Sequence, residues 1–229
     1  MATSDTARPN GTPPNRHAMP FVRVELAVLT VTNGHLAVLL GRRAEPPQKG
    51  LWALPGGVLR IDLDRDLEAA AQRVAMERLQ VPLPFLSQLR ATGGPQRDPR
   101  APWALSIAYR ALLRFEAFTP SPGKRLEALQ WTPADTAATD PALAFDHADL
   151  VRIAVDTTRA EIDRLALPDG FLPDSFTLTE LQANCEAILG RRLDKSSFRR
   201  RLDEHQVVEP IPGAMRTGAF RPAQLYRTR

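Results

Sequence analysis

Cysteine and long apolar runs are almost absent from this sequence. Cys185 is the only cysteine among 229 residues, which excludes an intramolecular disulfide and is typical of proteins in the reducing cytosol. No apolar run is long enough to cross a membrane, and the first residues lack the charged and then apolar layout of a signal peptide. The sequence therefore predicts a cytoplasmic protein with no membrane partner, in which Cys185 is buried in a helix.

Charge is distributed unevenly along the chain. Residues 190–229 contain 10 Lys and Arg against 4 Asp and Glu, whereas the whole chain has a net charge of only +4. Such a concentration of positive charge at one end indicates an anionic partner, and nucleic acid fits best. At the other end, residues 1–20 carry prolines among small polar residues, a composition that is typical of a disordered tail.

Apolar patterns over 21–142 predict an α/β domain. Two strands over 21–40 are joined at Asn33-Gly34, a dipeptide that favours a two-residue hairpin. Further strands are predicted in LSQLRATGG, WALSIAYRALLRF and LEALQW, and LWALPGG is interpreted as a short strand that ends in a glycine turn. One helix is predicted over 66–79, where apolar residues recur at helical spacing. This order predicts a mixed sheet with helices packed on it.

A long helix is predicted over 143–170, in AFDHADLVRIAVDTTRAEIDRLAL, and Pro168-Asp169-Gly170 is expected to end it. It connects the first domain to a compact second domain over 171–229. There, TLTE at 177–180 has the sequence of a capping box, and Gly190 suits the C-cap of that helix. A second helix, DKSSFRRRLDEH, precedes two short strands, VVEPI and AQLYRT. This order of elements is typical of a winged helix-turn-helix.

The second of these helices is basic, with Phe198 and Leu202 one turn apart on its buried face. Polar residues near the N-terminal end of such a helix usually enter the major groove, and flanking arginines hold phosphates. Two arginines of the following loop are placed to contact phosphates or a minor groove. The predicted DNA-binding residues are Lys195, Ser196, Ser197, Arg199, Arg200, Arg201, Arg216 and Arg221. The alternative interpretation is a solvated basic helix without a partner.

The segment 55–81, PGGVLRIDLDRDLEAAAQRVAMERLQV, resembles the Nudix box, G-x5-E-x7-R-E-U-x-E-E-x-G-U with U a bulky aliphatic residue. In that box, glutamates three and four apart gather on one helix face and hold Mg²⁺ for diphosphate hydrolysis. Here Val74 and Arg78 replace two of the three hexad glutamates, and Glu77 remains. Arg65 stands at the earlier glutamate position, in a stretch two residues longer than the family pattern. These replacements predict that the protein is not an enzyme.

Motifs along 21–229 resemble the NrtR family, the Nudix-related transcriptional regulators of NAD metabolism. They are LWALPGG, RDPR followed by LSIAY, AFDH, FTLTELQ, EAILGRRLDKSSFRR and RPAQLY. The resemblance implies a homodimeric repressor that joins a Nudix sensor, an α/β/α sandwich with a mixed sheet, to a winged helix-turn-helix that binds double-stranded operator DNA. It also implies ADP-ribose or a related NAD breakdown product as the effector, and NAD biosynthesis or salvage genes as the targets.

The effector site is predicted around the box. A glycine turn would expose backbone N–H groups, Arg97 and Arg100 would supply guanidinium forks for a diphosphate, and Arg78 would replace Mg²⁺ as the counter-charge. The predicted effector-binding residues are Gly56, Gly57, Arg60, Glu77, Arg78, Arg97, Asp98 and Arg100. No cofactor and no resident metal are expected, with weak Mg²⁺ binding only alongside the effector. For RDPR, at 97–100, the alternative is a solvent loop with an internal ion pair.

Other interpretations of the same residues remain open. Glu77 and carboxylates outside the box could hold one Mg²⁺ in an active ADP-ribose hydrolase, or a regulator of the same family could sense a sugar instead. Trp52, Trp103 and Trp131 are interpreted as core residues rather than as platforms for a base. His147 is interpreted as a hydrogen-bonding residue at a helix start rather than as a catalyst.

Overall fold

The predicted strands and helices follow one another in the expected order, and two further elements, a strand at Gly56–Val58 and a helix at Ala134–Ala137, were not predicted. The structure is a computed structural model that describes residues 19–217 and 222–229. The strands are β1 (Phe21–Thr32), β2 (His35–Arg43), β3 (Trp52–Ala53), β4 (Gly56–Val58), β5 (Ser87–Pro95), β6 (Trp103–Arg114), β7 (Leu126–Pro133), β8 (Val208–Arg216) and β9 (Ala223–Thr228). The helices are α1 (Leu67–Leu79), α2 (Ala134–Ala137), α3 (His147–Asp163), α4 (Leu178–Leu189) and α5 (Lys195–Glu204). Most of the predicted tail, 1–18, and Arg221 lie outside the described residues.

Seven strands form the central sheet, in the order β3-β2-β1-β6-β5, with β7 paired to β2 and β4 paired to β1. β1 and β6 run parallel, and the other pairs of this sheet are antiparallel. The predicted mixed sheet is therefore confirmed. Asn33 and Gly34 form the tight turn between β1 and β2 with φ angles of 50° and 74°, because a two-residue hairpin of this type needs positive φ at both central residues.

Helices cover both faces of the sheet, so the domain is an α/β/α sandwich. Side chains alternate along β1: Val24, Leu26 and Val28 pack towards α1, whereas Ala27 and Leu29 pack towards α2 and α3. All five side chains are buried. The strand is apolar on both faces because a helix layer covers each of them.

Gly56 and Gly57 lie in β4 rather than in the predicted glycine turn. They pair with β1, Gly56 opposite Glu25 and Gly57 opposite Val24. A side chain at Gly56 would place its Cβ 1.6 Å from Glu25 Oε2, and one at Gly57 would place it 2.7 Å from Val74 Cγ2. The prediction of a turn is wrong because these glycines allow a strand, a helix and a buried carboxylate to approach closely, without any need for positive φ.

The connecting helix α3 is shorter than predicted. It ends at Asp163, and the chain leaves the helical path at Leu165, which has a φ of 60°. Pro168 therefore follows the helix end by several residues and does not cause it. Leu165 is buried, and packing of its side chain holds a left-handed backbone that a leucine rarely adopts on local preference alone.

The C-terminal domain is a winged helix-turn-helix, as predicted. Thr177 and Glu180 form the complete capping box at the start of α4, and Gly190 ends that helix with a φ of 67°. Helix α5 follows, held by the buried side chains of Phe198 and Leu202. Strands β8 and β9 form the wing hairpin, and β8 is longer than predicted because it includes much of the expected loop.

One of the two buried hydrophobic clusters extends across both domains. Leu150 and Ala154 of α3 belong to the same buried cluster as Leu181 and Ile188 of α4. Cys185 lies in this cluster, and burial raises the pKa of its thiol to about 12, which confirms a packing role. Helix α3 therefore packs against the sheet and the DNA-binding domain at once. Across the described residues, no helix is both long and apolar enough to cross a bilayer.

Candidate functional site

Five arginines line a narrow cavity beside α1. The cavity lies between β1, β2, β4 and the start of β7 and has a volume of about 30 Å³. The side chains of Arg78 and Arg125 also line a separate groove of about 420 Å³ along α1. The arginine cavity is lined by Arg23, Arg43, Arg78, Arg100 and Arg125. The α1 groove adds Arg60, Arg73, Glu77 and Lys124.

Among the charged residues that line the arginine cavity, five are arginines and one, Glu45, is acidic. Four of these arginines pair with carboxylates of the protein: Arg23 with Glu25, Arg78 with Glu77, Arg100 with Asp98 and Arg125 with Glu45. Burial lowers the pKa of the Arg43 guanidinium, and the neighbouring Arg23 and Arg100 lower it further. Burial also lowers the pKa of Arg78, and Arg125 and Arg23 add to this shift. Cations held together away from water are unfavourable unless an anion joins them. The cavity therefore suits an anion, and guanidinium forks match the paired oxygens of a phosphate or diphosphate.

Six of the eight predicted effector-binding residues lie on this surface. They are Gly56, Gly57, Arg78 and Arg100 in the arginine cavity, and Arg60 and Glu77 in the α1 groove. Their role in binding stays a prediction. Three cavity arginines were missed: Arg23, Arg43 and Arg125. No local motif marks them, because β1, β2 and the segment before β7 each supply one, and only strand pairing brings the three together.

Arg97 and Asp98 do not line the cavity, and both have partners within the protein. Arg97 donates from Nε and Nη2 to the carboxylate of Asp146, at 2.6 and 2.7 Å, and from Nη1 to Ser106 Oγ. The predicted diphosphate fork at Arg97 stays a prediction, and in this structure its guanidinium pairs with protein groups instead. Asp98 is buried and accepts from Arg100 Nε at 2.8 Å. The alternative of an internal ion pair thus holds for Asp98 and Arg100, since a buried carboxylate needs a partner.

The Nudix-box hexad does not fit a metal ion. Val74 is fully buried, and Arg78 donates to the carbonyl oxygen of Gly56 at 2.8 Å. The remaining carboxylate, Glu77, lies 3.3 Å from guanidinium nitrogens of both Arg73 and Arg78. Throughout the part of the chain that the structure describes, no group of three or more His, Cys, Asp or Glu side chains is gathered to hold a metal ion. The Mg²⁺ of a Nudix box has no matching ligand set here.

His147 hydrogen-bonds at the start of α3, as predicted. Its Nδ1 accepts from the Leu54 N–H at 2.9 Å, and its Nε2 lies 3.8 Å from Glu25 Oε1. Burial lowers the pKa of His147 to about 4, although the nearby Glu25 opposes the shift. The ring is therefore neutral near pH 7, so Nδ1 is free to accept a hydrogen bond. Glu25 is buried in turn and accepts from Arg23 Nε at 2.7 Å.

Two of the three tryptophans are packed against the core, as expected. Trp52 and Trp131 contact the two hydrophobic clusters of the sandwich. Trp103 is 43% exposed, so its interpretation as a core residue is wrong. Its ring lies against Gly93 of β5, an edge strand whose residues are mostly exposed. A tryptophan beside this edge therefore stays partly in solvent.

Helix α5 presents most of its predicted DNA-binding residues to solvent. The exposed residues are Lys195, Ser196, Ser197, Arg199 and Arg200. Arg201 instead donates to the carbonyl oxygen of Asp163 at the end of α3, and Arg216 of β8 pairs with Glu180. DNA contacts by these two residues stay predictions, and in this structure both guanidinium groups have partners within the protein. Arg221 lies outside the described residues.

Comparison with known proteins identifies the family. A model of the NrtR DNA-binding winged helix domain matches residues 170–228, and a model of the NUDIX domain matches residues 22–152. The "ADPR responsive transcriptional repressor NtrR" of Acinetobacter baylyi is 39% identical over 208 residues, which cover 91% of this chain and 82% of that protein. The chain belongs to the NrtR family. The resemblance that its sequence motifs indicated is confirmed.

Solved NrtR structures share both domains. Shewanella oneidensis NrtR in complex with a 27mer DNA is 32% identical, with a TM-score of 0.75, and the match covers 91% of this chain and 93% of that chain. The NUDIX domain of the same NrtR, in complex with ADP ribose, is 30% identical with a TM-score of 0.57 and covers 65% of this chain and 94% of that chain. The NrtR fold therefore extends over almost the whole described chain.

Proposed function

We propose that this NrtR protein is a transcriptional repressor that binds operator DNA through its winged helix and releases it when the Nudix domain binds ADP-ribose or a related nucleotide. One observation carries the proposal: a single chain joins a buried arginine cavity to an exposed basic helix. Relatives support it, since one is named as ADPR responsive and another has structures with DNA and with ADP ribose. The target genes proposed are those of NAD biosynthesis or salvage.

DNA binding is assigned to the exposed face of α5. Asp194 caps this helix by accepting from the Ser197 N–H at 2.9 Å, so its N-terminal turn is well formed. Lys195 and Arg199 are four residues apart and share one face of the helix. Arg200 is exposed beside them, 3.6 Å from Glu204. A helix of this kind places its N-terminal side chains in the major groove, with arginines on bases and phosphates.

Effector binding is assigned to the arginine cavity and the α1 groove. A diphosphate is an anion, and the surface offers guanidinium groups from β1, β2, α1 and the segment before β7. The forks of Arg43 and Arg78 are already partly desolvated, so their hydrogen bonds to phosphate oxygens are charge-assisted and only weakly screened. Arg78 donates from Nε to the Gly56 carbonyl oxygen, and its side chain also lines the groove.

We further propose that the protein binds this nucleotide without hydrolysing it and needs no metal or other cofactor to do so. Hydrolysis requires a carboxylate set that holds Mg²⁺ and activates water. Here two arginines neutralise the charge of Glu77, and Val74 presents only methyl groups. Cations of the protein would hold the diphosphate in place of Mg²⁺. A sensor that does not consume its signal fits a repressor better than an enzyme.

We also infer a homodimer with twofold symmetry. Each chain carries one α5 recognition helix. Two such helices related by a twofold axis match the two half-sites of a palindromic operator, one helical turn apart.

The function is tested by measuring the affinity of the full-length protein for its own upstream DNA and for a random duplex. We expect a preference for the upstream DNA that weakens steeply between about 50 and 200 mM salt. Saturating ADP-ribose is expected to raise the dissociation constant for this DNA by at least about tenfold. AMP, which lacks the diphosphate, is the matched control ligand. A protein that treats both duplexes alike at every salt concentration is not an operator-binding repressor.

Metal removal tests the proposed binding mode. We expect calorimetry to give the same ADP-ribose affinity in EDTA and in Mg²⁺, within about twofold, because protein cations replace the metal. We also expect no release of AMP from ADP-ribose in Mg²⁺ or Mn²⁺. Turnover at an ordinary enzymatic rate of about 1 per second or faster would show that the protein is an active hydrolase instead.

A further inference from the structure

We infer that Arg97, Asp146 and His147 form a latch that couples the arginine cavity to the DNA-binding domain. The inference rests on the proposed function, since it concerns how that effector site acts on DNA binding. These are positioning residues: none of them lines the cavity or the exposed face of α5. They hold the start of α3, the helix that packs against both domains.

Asp146 occupies the N-cap position of α3 without capping the helix. Its side chain accepts no hydrogen bond from the first turn, although aspartate is among the best N-cap residues. Both of its oxygens instead accept from Arg97, at 2.6 and 2.7 Å, across a sequence separation of 49 residues. Asp146 therefore gives up an N-cap hydrogen bond that would stabilise α3. Its ion pair with Arg97 instead fixes the position of the first residue of α3 relative to the sheet.

The latch adjoins the cavity through Phe145 and His147. The guanidinium of Arg43 lies 4.9 Å from the Phe145 ring and that of Arg23 lies 5.8 Å from it. The same ring is 5.3 Å from the His147 ring. On its other side, His147 accepts from the backbone of Leu54, which lines the cavity. Two cavity arginines and one wall of the cavity therefore contact the residues at the start of α3.

An anion in the cavity has to disturb these contacts. The cavity is narrow, about 30 Å³, and a diphosphate that enters it would draw the arginine side chains away from their present contacts. Arg23 is bonded to the buried Glu25, whose other oxygen, Oε2, has no hydrogen-bond partner among the described residues. If Arg23 turns towards a phosphate, Glu25 loses its main counter-charge beside His147. We therefore expect the bound and unbound states to differ in the Arg23–Glu25 ion pair beside the latch, and coupling requires such a difference.

Contacts at the C-terminal end of α3 connect this helix to the DNA-binding domain, so a shift of α3 would be passed on to that domain. Arg159 donates from Nε to the carbonyl oxygen of Ile188 at 2.9 Å, near the end of α4, and both its terminal nitrogens contact Asp135 of α2. Arg201 of α5 donates to the carbonyl oxygen of Asp163. A shift of α3 along its axis therefore moves the recognition helix directly, because the last turn of α3 is bonded to it.

The variant Asp146→Asn tests the latch in the full-length protein. It keeps the shape of the side chain but removes the ion pair with Arg97. The measured quantity is the ratio of the DNA dissociation constants with and without saturating ADP-ribose. We expect this ratio to fall at least about fivefold towards one, while ADP-ribose affinity and DNA affinity without effector stay within about threefold of the wild type.

The matched control is Asp149→Asn, the same change one turn along α3. Asp149 is exposed and pairs with the exposed Arg152, so its variant is expected to keep the wild-type ratio. An unchanged ratio in Asp146→Asn, beside a clear effect of ADP-ribose on the wild type, would overturn the latch and leave the proposed function standing. A wild type that ignores ADP-ribose would overturn the proposed function itself.

A second pair of variants separates coupling from folding. Asn at position 147 can place its Oδ1 near the position of His147 Nδ1 and accept from Leu54, whereas Ala cannot. We therefore expect His147→Asn to retain most of the ratio and His147→Ala to lose it, in proteins with cooperative thermal unfolding. Equal ratios in these two folded variants would contradict a role for the Leu54 contact in the latch.

Discussion

Replacing Arg43 and Arg125 together by glutamine is expected to weaken ADP-ribose binding by about a thousandfold. Each of the two substitutions removes one guanidinium group from the arginine cavity and leaves a neutral side chain that is only slightly shorter. Hydrogen bonds to a charged group contribute about 1.5–3 kcal/mol each, so two contribute about 4 kcal/mol, and about 1.4 kcal/mol corresponds to tenfold in affinity. Calorimetric titration of the purified variant measures the loss.

The same variant is expected to keep its affinity for operator DNA, because neither arginine belongs to the winged helix-turn-helix. It should therefore stay on DNA at ADP-ribose concentrations that release the wild type. Arg65→Gln is the matched control, since Arg65 is an exposed arginine of the same domain that lies outside the cavity and the groove. Wild-type ADP-ribose affinity in the double variant would mean that the effector binds elsewhere.

Replacing Arg199 and Arg200 together by alanine is expected to weaken operator binding by about a hundredfold. Both side chains are exposed on α5, and an arginine contact to a base or phosphate contributes about 1–3 kcal/mol. Each lost phosphate contact also lowers the slope of log affinity against log salt by about one. Fluorescence anisotropy with the upstream duplex, repeated at several salt concentrations, measures both effects.

Arg152→Ala is the control for this experiment. Arg152 is an exposed arginine of α3 that pairs with Asp149, so its loss removes one positive charge without touching the recognition helix. We expect DNA binding of the control to change by less than about twofold. ADP-ribose affinity of the α5 variant should equal that of the wild type. If the α5 variant binds the operator as well as the control does, the recognition surface lies outside α5.

Local sequence signals predicted the helix-turn-helix accurately. The capping box at Thr177 and Glu180 and the left-handed Gly190 are present as expected, because each depends only on residues within a few positions of one another. The Asn33-Gly34 hairpin is equally local. The end of α3 was not predictable in this way, since the burial of Leu165 holds the chain out of the helix before Pro168 is reached.

In the Nudix box, the sequence predicted which carboxylates are missing but not which residues lie against one another. Counting along the motif was enough to find Val74 and Arg78 in place of carboxylates. It could not show that Gly56 sits against the carboxylate of Glu25, or that Arg78 donates to the Gly56 carbonyl. The glycines were interpreted as a turn because glycine is most often needed for positive φ. Here the absence of a side chain matters instead, and only the neighbouring strand reveals it.

The sequence by itself determined the family, the order of the two domains, the loss of carboxylates from the Nudix box and the basic helix. Each of these features depends on residues that lie close together in the chain. The tertiary structure alone decided which cations face the cavity and which do not. Arg23, Arg43 and Arg125 converge only because β1, β2 and β7 pair in one sheet. Arg97, which its motif placed at the effector, is bonded to Asp146 because folding brings two distant segments together. Charge repulsion and ion pairing act through space, so chain position could not assign these arginines.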